Sequence, residues 1–465
     1  MTLDKEQLIA SKYIDNHSLI IAGAGTGKTT TLLNKVEYLI KSGFKENEIL
    51  VISFTNETVN NFKKKCPYNI DVFTFHKLAN KITNSQCFIV DDTTLKDIIK
   101  NFLKCCSNKL KKKLVHIIYF RVYSDNFYNK QINSESSSSI TSYLFSLIKH
   151  IKTNNISINR LNASFFSKKE QLLLYCAKSI LDKYNNYLNL NDCMDFDDLI
   201  VEGTNTILKS QYISNYKHIL VDEYQDISLI RLLFLQSLVK ANNSILTAVG
   251  DDFQAIYGFS GSNIDLFYDF RNYFNNSKIF YITTTYRCPY KIVNTAGKFI
   301  MKNKMQITKN LKSVNKLNST IKKVHSNNYK KDLSHILNKY KDTNKSVMIL
   351  GRNNYDINFL IDKKTRLINS YLVMDNKKYN NIRYLTIHKS KGLEADIVII
   401  INLSNEYNSL PNKRSNKLIK KLINSKDTYK YAEERRLFYV ALTRAKNKVY
   451  LLVDENNPSQ FIKEI

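Results

Sequence analysis

The chain has 465 residues, 43% hydrophobic and 24% charged, which is too long for one small domain and ordinary for a folded globular protein. No apolar run approaches the roughly 18 to 20 residues of a membrane span, and the N-terminus MTLDKEQLIASKYID lacks the apolar centre of a secretory signal, so neither a membrane partner nor export is expected. A net charge of +29, from 70 basic against 41 acidic residues, predicts a polyanionic partner, although the lysine and asparagine abundance also fits an AT-rich genome.

Along the chain, the first apolar run is Ser18–Ala22 (SLIIA), short enough for a buried parallel strand. Ala22–Thr31 follows as AGAGTGKTTT and leads into a helical pattern over Lys28–Lys41. A strand, a glycine-rich loop, Lys-Thr and a helix, in that order, form the context of a P-loop, where backbone N–H groups and a helix N-terminus close around phosphate oxygens. Its candidate residues are Ala22, Gly23, Ala24, Gly25, Thr26, Gly27, Lys28, Thr29 and Thr30, with Ala22 in the place of the first glycine of the strict pattern. Lys28 would bridge the terminal phosphates of ATP, and the Thr29 hydroxyl would hold Mg²⁺.

A second strand is expected at Ile49–Ser53 and a helix over Glu57–Lys65. From about 85 to 190 strand signals fade and basic and aromatic residues interleave. This region includes a helical pattern at Glu170–Leu188 and a serine run, Ser136–Ser139, that reads as a loop tip. Strands resume at His218–Val221, inside HILVDEYQDIS. Phosphoryl transfer needs an acidic metal partner and a group that places the water. Asp222 suits the first role and Glu223 the second, so the P-loop and this pair predict ATP hydrolysis. Ile245–Val249 runs into AVGDDFQAIYGFSGS, where Gln254 suits a γ-phosphate sensor. Tyr257 and Phe259 are base platforms or ordinary packing residues. A lysine- and asparagine-rich stretch at about 308–345 then connects to a second core, with a strand at Val398–Ile401 and a helix over Ala432–Ala445. The seven cysteines form no CxxC pair, so no zinc or iron–sulfur site is indicated, and scattered free thiols point to a reducing setting, cytoplasmic, or nuclear if the host has a nucleus. The expected fold is α/β, with two nucleotide-fold lobes of parallel sheet and a helical basic insertion in the first.

These segments in series resemble the UvrD/Rep/PcrA-like branch of superfamily 1 DNA helicases. The resemblance runs over nearly the whole chain. It adds Leu3–Leu8 (LDKEQL), Ile52–Val59 (ISFTNETV), Thr74–Leu78 (TFHKL), Met194–Leu199 (MDFDDL), Thr285–Cys288 (TYRC), Thr386–Asp396 (TIHKSKGLEAD) and Glu433–Lys446 (EERRLFYVALTRAK) to the segments above. It implies two RecA-like P-loop NTPase lobes: 1–84 and 191–276 for the first, 85–190 as its insertion, and 277–465 for the second. By the same resemblance Gln7 reads adenine, Tyr286 stacks on it, and Glu394 touches the ribose. Arg287 and Arg444 contact the γ-phosphate. Phe54, Tyr257, Phe259 and His388 line the strand track, joined by Arg352 and Asn354 of GRNNYD.

The chain has only twelve arginines, and four of them (Arg287, Arg435, Arg436 and Arg444) lie inside two of these segments. A planar fork suits a phosphoryl group. For Arg435 and Arg436, an ion pair with Glu433 or Glu434 and a catalytic role both remain open.

The chain departs from the family pattern in three ways. Phe259 stands where tryptophan is usual and Ser260 where arginine is usual. The short distance from Arg287 to His388 implies that the accessory 2B subdomain of larger relatives is absent or minimal. The activity implied is ATP- and Mg²⁺-dependent 3′ to 5′ movement on single-stranded or tailed duplex DNA, in repair, replication or defence. The alternative is a DNA-sensing ATPase subunit that regulates a partner nuclease, as in Gabija-like anti-phage systems; self-association is also compatible. Duplex engagement would fall to the insertion, with Lys111–Lys113 and Tyr119–Tyr123 as candidates.

Overall fold

The computed structural model describes residues 3–119, 138–317, 320–413 and 417–465. Its first sheet is built from short β-branched and leucine-rich runs. In chain order these are β1 (Ser18–Ala22), β2 (Ile49–Ser53) and β3 (Asp71–Thr74); then, beyond an excursion carrying β4 (Phe88–Val90) and β5 (Cys193–Asp195), β6 (His218–Val221), β7 (Ile245–Gly250) and β8 (Lys278–Ile282). Every residue of β1, β2 and β6 is buried, as a sheet covered on both faces requires. The order is β3-β2-β6-β7-β1-β8, with all pairings parallel. Parallel strands align their carboxyl ends, and there α/β folds bind ligands. The loops after β1, β6 and β7 therefore converge.

The excursion is a helical unit with its own core. The helices Asp92–Cys105, Asn108–Tyr119, Ser138–Thr153 and Lys168–Leu190 bury Leu95, Ile99, Leu144, Ile148, Leu173, Ile180 and their neighbours, and β4 pairs with β5 beside them. The last helix opens on a capping box between Ser167 and Glu170, which satisfies two free N–H groups. One part of this core comes from far along the chain. Leu418 and Ile419, on helix Lys417–Leu422, are buried in it, and Tyr407 Oη donates to the carbonyl of Ile118.

The second sheet follows a two-stranded ladder of β9 (Thr284–Thr285) and β10 (Lys312–Ser313). Its strands are β11 (Ile321–Ser326), β12 (Val347–Gly351), β13 (Thr365–Ile368), β14 (Tyr371–Met374), β15 (Lys377–Thr386), β16 (Ala395–Leu403) and β17 (Ala445–Asp454), in the order β11-β17-β16-β12-β15-β14-β13. The first five positions in that order are parallel, and β14 and β13 add an antiparallel hairpin. Between β12 and β15 the described chain makes only a short 3₁₀ turn and this hairpin. One hydrophobic core crosses the lobe boundary, joining Ala24, Phe253 and Ile256 to Ile387, Phe438 and Leu442.

Four expectations need correction. β8, placed by sequence in the second lobe, is the edge strand of the first sheet, because its Ile279 and Phe280 pair with Leu19 and Ile20 of β1. The last predicted helix ends at Leu442, which puts Arg444 on the turn before β17. The stretch read as a connection at 308–345 holds β10, β11 and helix Tyr329–Asn338. Ser138 and Ser139 begin a helix rather than form a loop tip, while residues 120–137, with most of Tyr119–Tyr123, lie outside the described residues. Among the described residues no helix is long and apolar enough to cross a membrane, and the cysteines are free.

Candidate nucleotide and nucleic-acid site

The loop after β1 wraps tightly against both lobes. Gly25 has φ +73, and a Cβ there would lie 2.6 Å from Arg287 Cβ, so only glycine fits. The Tyr286 amide donates to the Gly25 carbonyl (2.9 Å), and Thr285 Oγ1 donates to the Ala24 carbonyl (2.7 Å). Gln7 Nε2 donates to the Thr26 carbonyl (2.8 Å) while its Oε1 accepts from the Asp4 amide. One donor and one lone pair of the Gln7 amide remain for a base edge. Tyr286, 44% exposed, donates its hydroxyl to Asp4 Oδ2 and so stands beside Gln7.

Lys28 Nζ lies 2.9 Å from Glu223 Oε1, where a carboxylate takes the position a phosphate would contest. Glu223 has φ 54, a strained left-handed backbone for a non-glycine residue. Gln225 ties it to the neighbouring strand end, donating to Glu223 and accepting from the Asp251 amide. Burial raises the pKa of both acids. At Asp222 repulsion from Glu223 adds to it; at Glu223 Lys28 and Lys391 outweigh it and hold the carboxyl ionised. Asp222 and Thr29 give a donor set of one carboxylate and one hydroxyl. Among the described residues no cluster of three or more His, Cys, Asp or Glu could hold a metal. A donor pair of this kind would leave most positions of an Mg²⁺ to phosphate and water.

The second lobe contributes two arginines. Arg287 Nε lies 2.8 Å from Glu394 Oε2, and Lys446 lies 2.6 Å from the other oxygen of that carboxylate. Arg444 is 1% exposed. Its partners among the described residues are the carbonyls of Val440 and Leu393, the Thr443 hydroxyl and, across the lobe boundary, Gln254 Oε1 at 3.2 Å; none is a carboxylate. Burial, then the nearby charge of Arg287, lowers its pKa to about 10, so it stays a cation at neutral pH. A buried guanidinium without an anion is costly. A terminal phosphate between the lobes would supply the anion, and on this ground the residues fit ATP.

Beyond Gln254 the chain presents rings. Phe259, 46% exposed, sits 5.2 Å from the His388 ring at 89° and 6.0 Å from Tyr257. Burial, then Arg352 and Lys391, keep His388 neutral. Phe54 is not in ring contact with these three; it packs against Phe75, with Arg231 over its face. Arg352 grips Glu434 with two nitrogens, whereas Asn354 is exposed at the start of a 3₁₀ turn.

Comparison with known families assigns residues 3–275 to the UvrD/REP helicase N-terminal domain and 360–456 to the UvrD-like helicase C-terminal domain. The chain is also 30% identical to DNA helicase IV of Escherichia coli (strain K12), over 96% of this chain and 68% of that protein. The chain belongs to the UvrD/Rep family of ATP-dependent DNA helicases. It is 27% identical to a probable DNA helicase of Mycoplasma pneumoniae, over 100% of this chain and 87% of the relative. With the ATP-dependent DNA helicase Rep of Buchnera aphidicola (Baizongia pistaciae) it shares 27% over 86% of this chain and 58% of the relative.

Against this family frame several residues emerge that sequence reasoning did not single out. Lys391 Nζ reaches Asp226 Oδ2 (2.5 Å) and the Gln254 carbonyl (2.9 Å) and lies over the Tyr257 ring, so one cation touches both the acidic strand end and this ring. Lys309, wholly buried, holds Asp251 (2.5 Å) and also pairs with Asp252; Asp251 in turn accepts from Gln254 Nε2. Lys391 lies inside a quoted segment, but Lys309 had no signal in its lysine-rich surroundings. The open question over Arg435 and Arg436 resolves as ion pairs with other acids: Arg435 with Glu464 (2.6 Å) and Arg436 with Asp427 (2.9 Å).

Proposed function

We propose that the chain is an ATP-driven motor that moves 3′ to 5′ along single-stranded DNA. The observation carrying this reading is Arg444, a buried cation from the second lobe that has no carboxylate partner among the described residues and meets Gln254 of the first. ATP with Mg²⁺ would supply the missing anion and the free energy of hydrolysis. Lys28 would exchange Glu223 for phosphate, which would free Glu223 to orient water; Asp222 and Thr29 would hold the metal, and Arg287 and Arg444 would neutralise charge on the transferring group. Gln7, Tyr286 and Glu394 place the base and ribose. Gln254 lies three residues before Tyr257, so a change in its contact with Arg444 reaches the platforms through a short loop. Single-stranded DNA is expected to stimulate ATP hydrolysis. Streptavidin should leave the 5′ end of a biotinylated strand much faster than the 3′ end; the reverse order would refute the direction.

The hairpin of β13 and β14 occupies the interval where larger relatives carry an accessory subdomain. Translocation needs only the lobes and the track, whereas unwinding needs a wedge. An isolated monomer is therefore expected to displace streptavidin efficiently but to unwind a long 3′-tailed duplex poorly at single turnover, improving with a partner or self-association. Fast, processive unwinding by a verified monomer would overturn this.

The charge of +29 leads to a second expectation. If about five phosphates are neutralised, affinity for single strands falls on the order of 10²-fold between 50 and 200 mM salt. Fluorescence anisotropy of mixed-sequence oligonucleotides measures it, and a flat response would mean that the surface lysines do not bind the backbone.

A further inference from the structure

The Met194–Leu199 segment takes no part in either the ATP site or the track described above. Its aspartates instead grip the insertion. Asp197 Oδ2 lies 2.5 Å from Lys149 Nζ, while Asp195 and Asp198 lie 2.7 and 2.9 Å from Lys152 Nζ. Asp92 approaches Lys149 at 3.3 Å, and Tyr184 donates to Asp195 Oδ2. Lys149 and Lys152 are one turn apart on helix Ser138–Thr153, and both are largely buried. Removing one partner would leave a buried charge uncompensated, so the pairs fix this helix against the first lobe.

The helix ends against the aromatic loop. Asn154 Nδ2 lies 3.3 Å from the Gly261 carbonyl, and Thr153 Oγ1, whose single hydrogen also meets the Lys149 carbonyl at 2.7 Å, lies 3.2 Å from it; both side chains are buried. Gly261 has φ +94, and a Cβ there would collide with Thr153 Oγ1, so the fit is tight as well as bonded. The other end of the same loop is held by the second lobe: Gly258 N donates to Glu433 Oε1 (2.9 Å), and the Ala255 carbonyl accepts from Arg436 Nε (2.7 Å). Tyr257 and Phe259 flank Gly258 and lie between Ala255, held by the second lobe, and Gly261, held by the insertion.

We propose that Thr153 and Asn154 are positioning residues for the strand track. They pin the Gly261 end of the loop to the insertion. When the second lobe lets go of Ala255 and Gly258 during a cycle, the loop pivots about Gly261 and carries both rings with it. The Met194–Leu199 acids hold the pivot's mount. This inference rests on the reading of Tyr257 and Phe259 as strand contacts.

The test uses the full chain as Thr153→Ala/Asn154→Ala, with Thr153→Ser as the conservative control. In the double variant the single-strand concentration for half-maximal ATPase stimulation should rise about fivefold, the equivalent of one neutral hydrogen bond. The ATP consumed per nucleotide travelled should rise as well, with DNA-free hydrolysis unchanged. Thr153→Ser should behave as the parent. Asn154→Ala alone, which removes one of the two donors, should reproduce part of the shift and covers the case in which the double variant does not fold. A folded variant with unchanged DNA requirement and unchanged ATP per nucleotide overturns the pivot. If Phe259→Ala also leaves DNA affinity untouched, the strand-track reading itself has failed, and the pivot with it.

Discussion

Lys28→Ala is expected to abolish DNA-stimulated ATP hydrolysis, a loss of about 10³-fold or more, the scale for removing a preorganised charge from a transition state. Lys28 Nζ lies 2.9 Å from Glu223, and the nearest other cation to that carboxylate, Lys391, is 3.8 Å away. The substitution removes the group that would hold the terminal phosphates. It also leaves Glu223, the residue meant to place water, leaning on Lys391. Steady-state turnover with saturating single-stranded DNA measures the effect, and the unchanged salt-dependent DNA binding of the same variant shows that the fold survives. Near-normal turnover would mean that the phosphate cradle lies elsewhere.

Arg444→Ala is expected to lower turnover by roughly 10³-fold with nucleotide affinity nearly intact, as for other arginines that act on the transferring group. Gln7, Tyr286 and the P-loop make no hydrogen bond with Arg444. Ground-state binding therefore retains its main contacts. Because Arg444 is buried, Arg444→Lys serves as a second variant: it keeps the charge but loses the planar fork, and should recover only part of the rate. Titration with a fluorescent nucleotide beside turnover separates the two roles. A variant that loses binding in proportion to rate would make Arg444 a ground-state clamp.

The parts of this protein that were legible in its sequence share a physical cause. β1, β2 and β6 have the limits expected of them because each is a short apolar run buried on both faces and ended by a glycine, a polar cap or an acid. The Lys28–Lys41 helix was bounded by the loop that precedes it. β8 and β11 were missed because they read as KIFYI and IKKVHS, with exposed lysines or a tyrosine on one side, and such edge strands look polar when taken alone. The site divides in the same way. Residues expected to meet phosphate announce themselves through glycine, Lys-Thr and paired acids. Lys309 does not, because a buried lysine and a surface lysine are the same letter until Asp251 and Asp252 are seen on either side of it.

Leu418 and Ile419, in the heart of the insertion's core, have a consequence for how this motor can change over time. The helix that carries them is encoded far downstream of the rest of that core, so the two stretches are free to be separated by recombination but not by packing. Exchanging the insertion for that of a relative would leave Leu418 and Ile419 facing side chains shaped for other neighbours. A hybrid gene that keeps its stability must bring the matching Lys417–Leu422 helix with the new insertion, and substitutions in either stretch should be inherited in pairs.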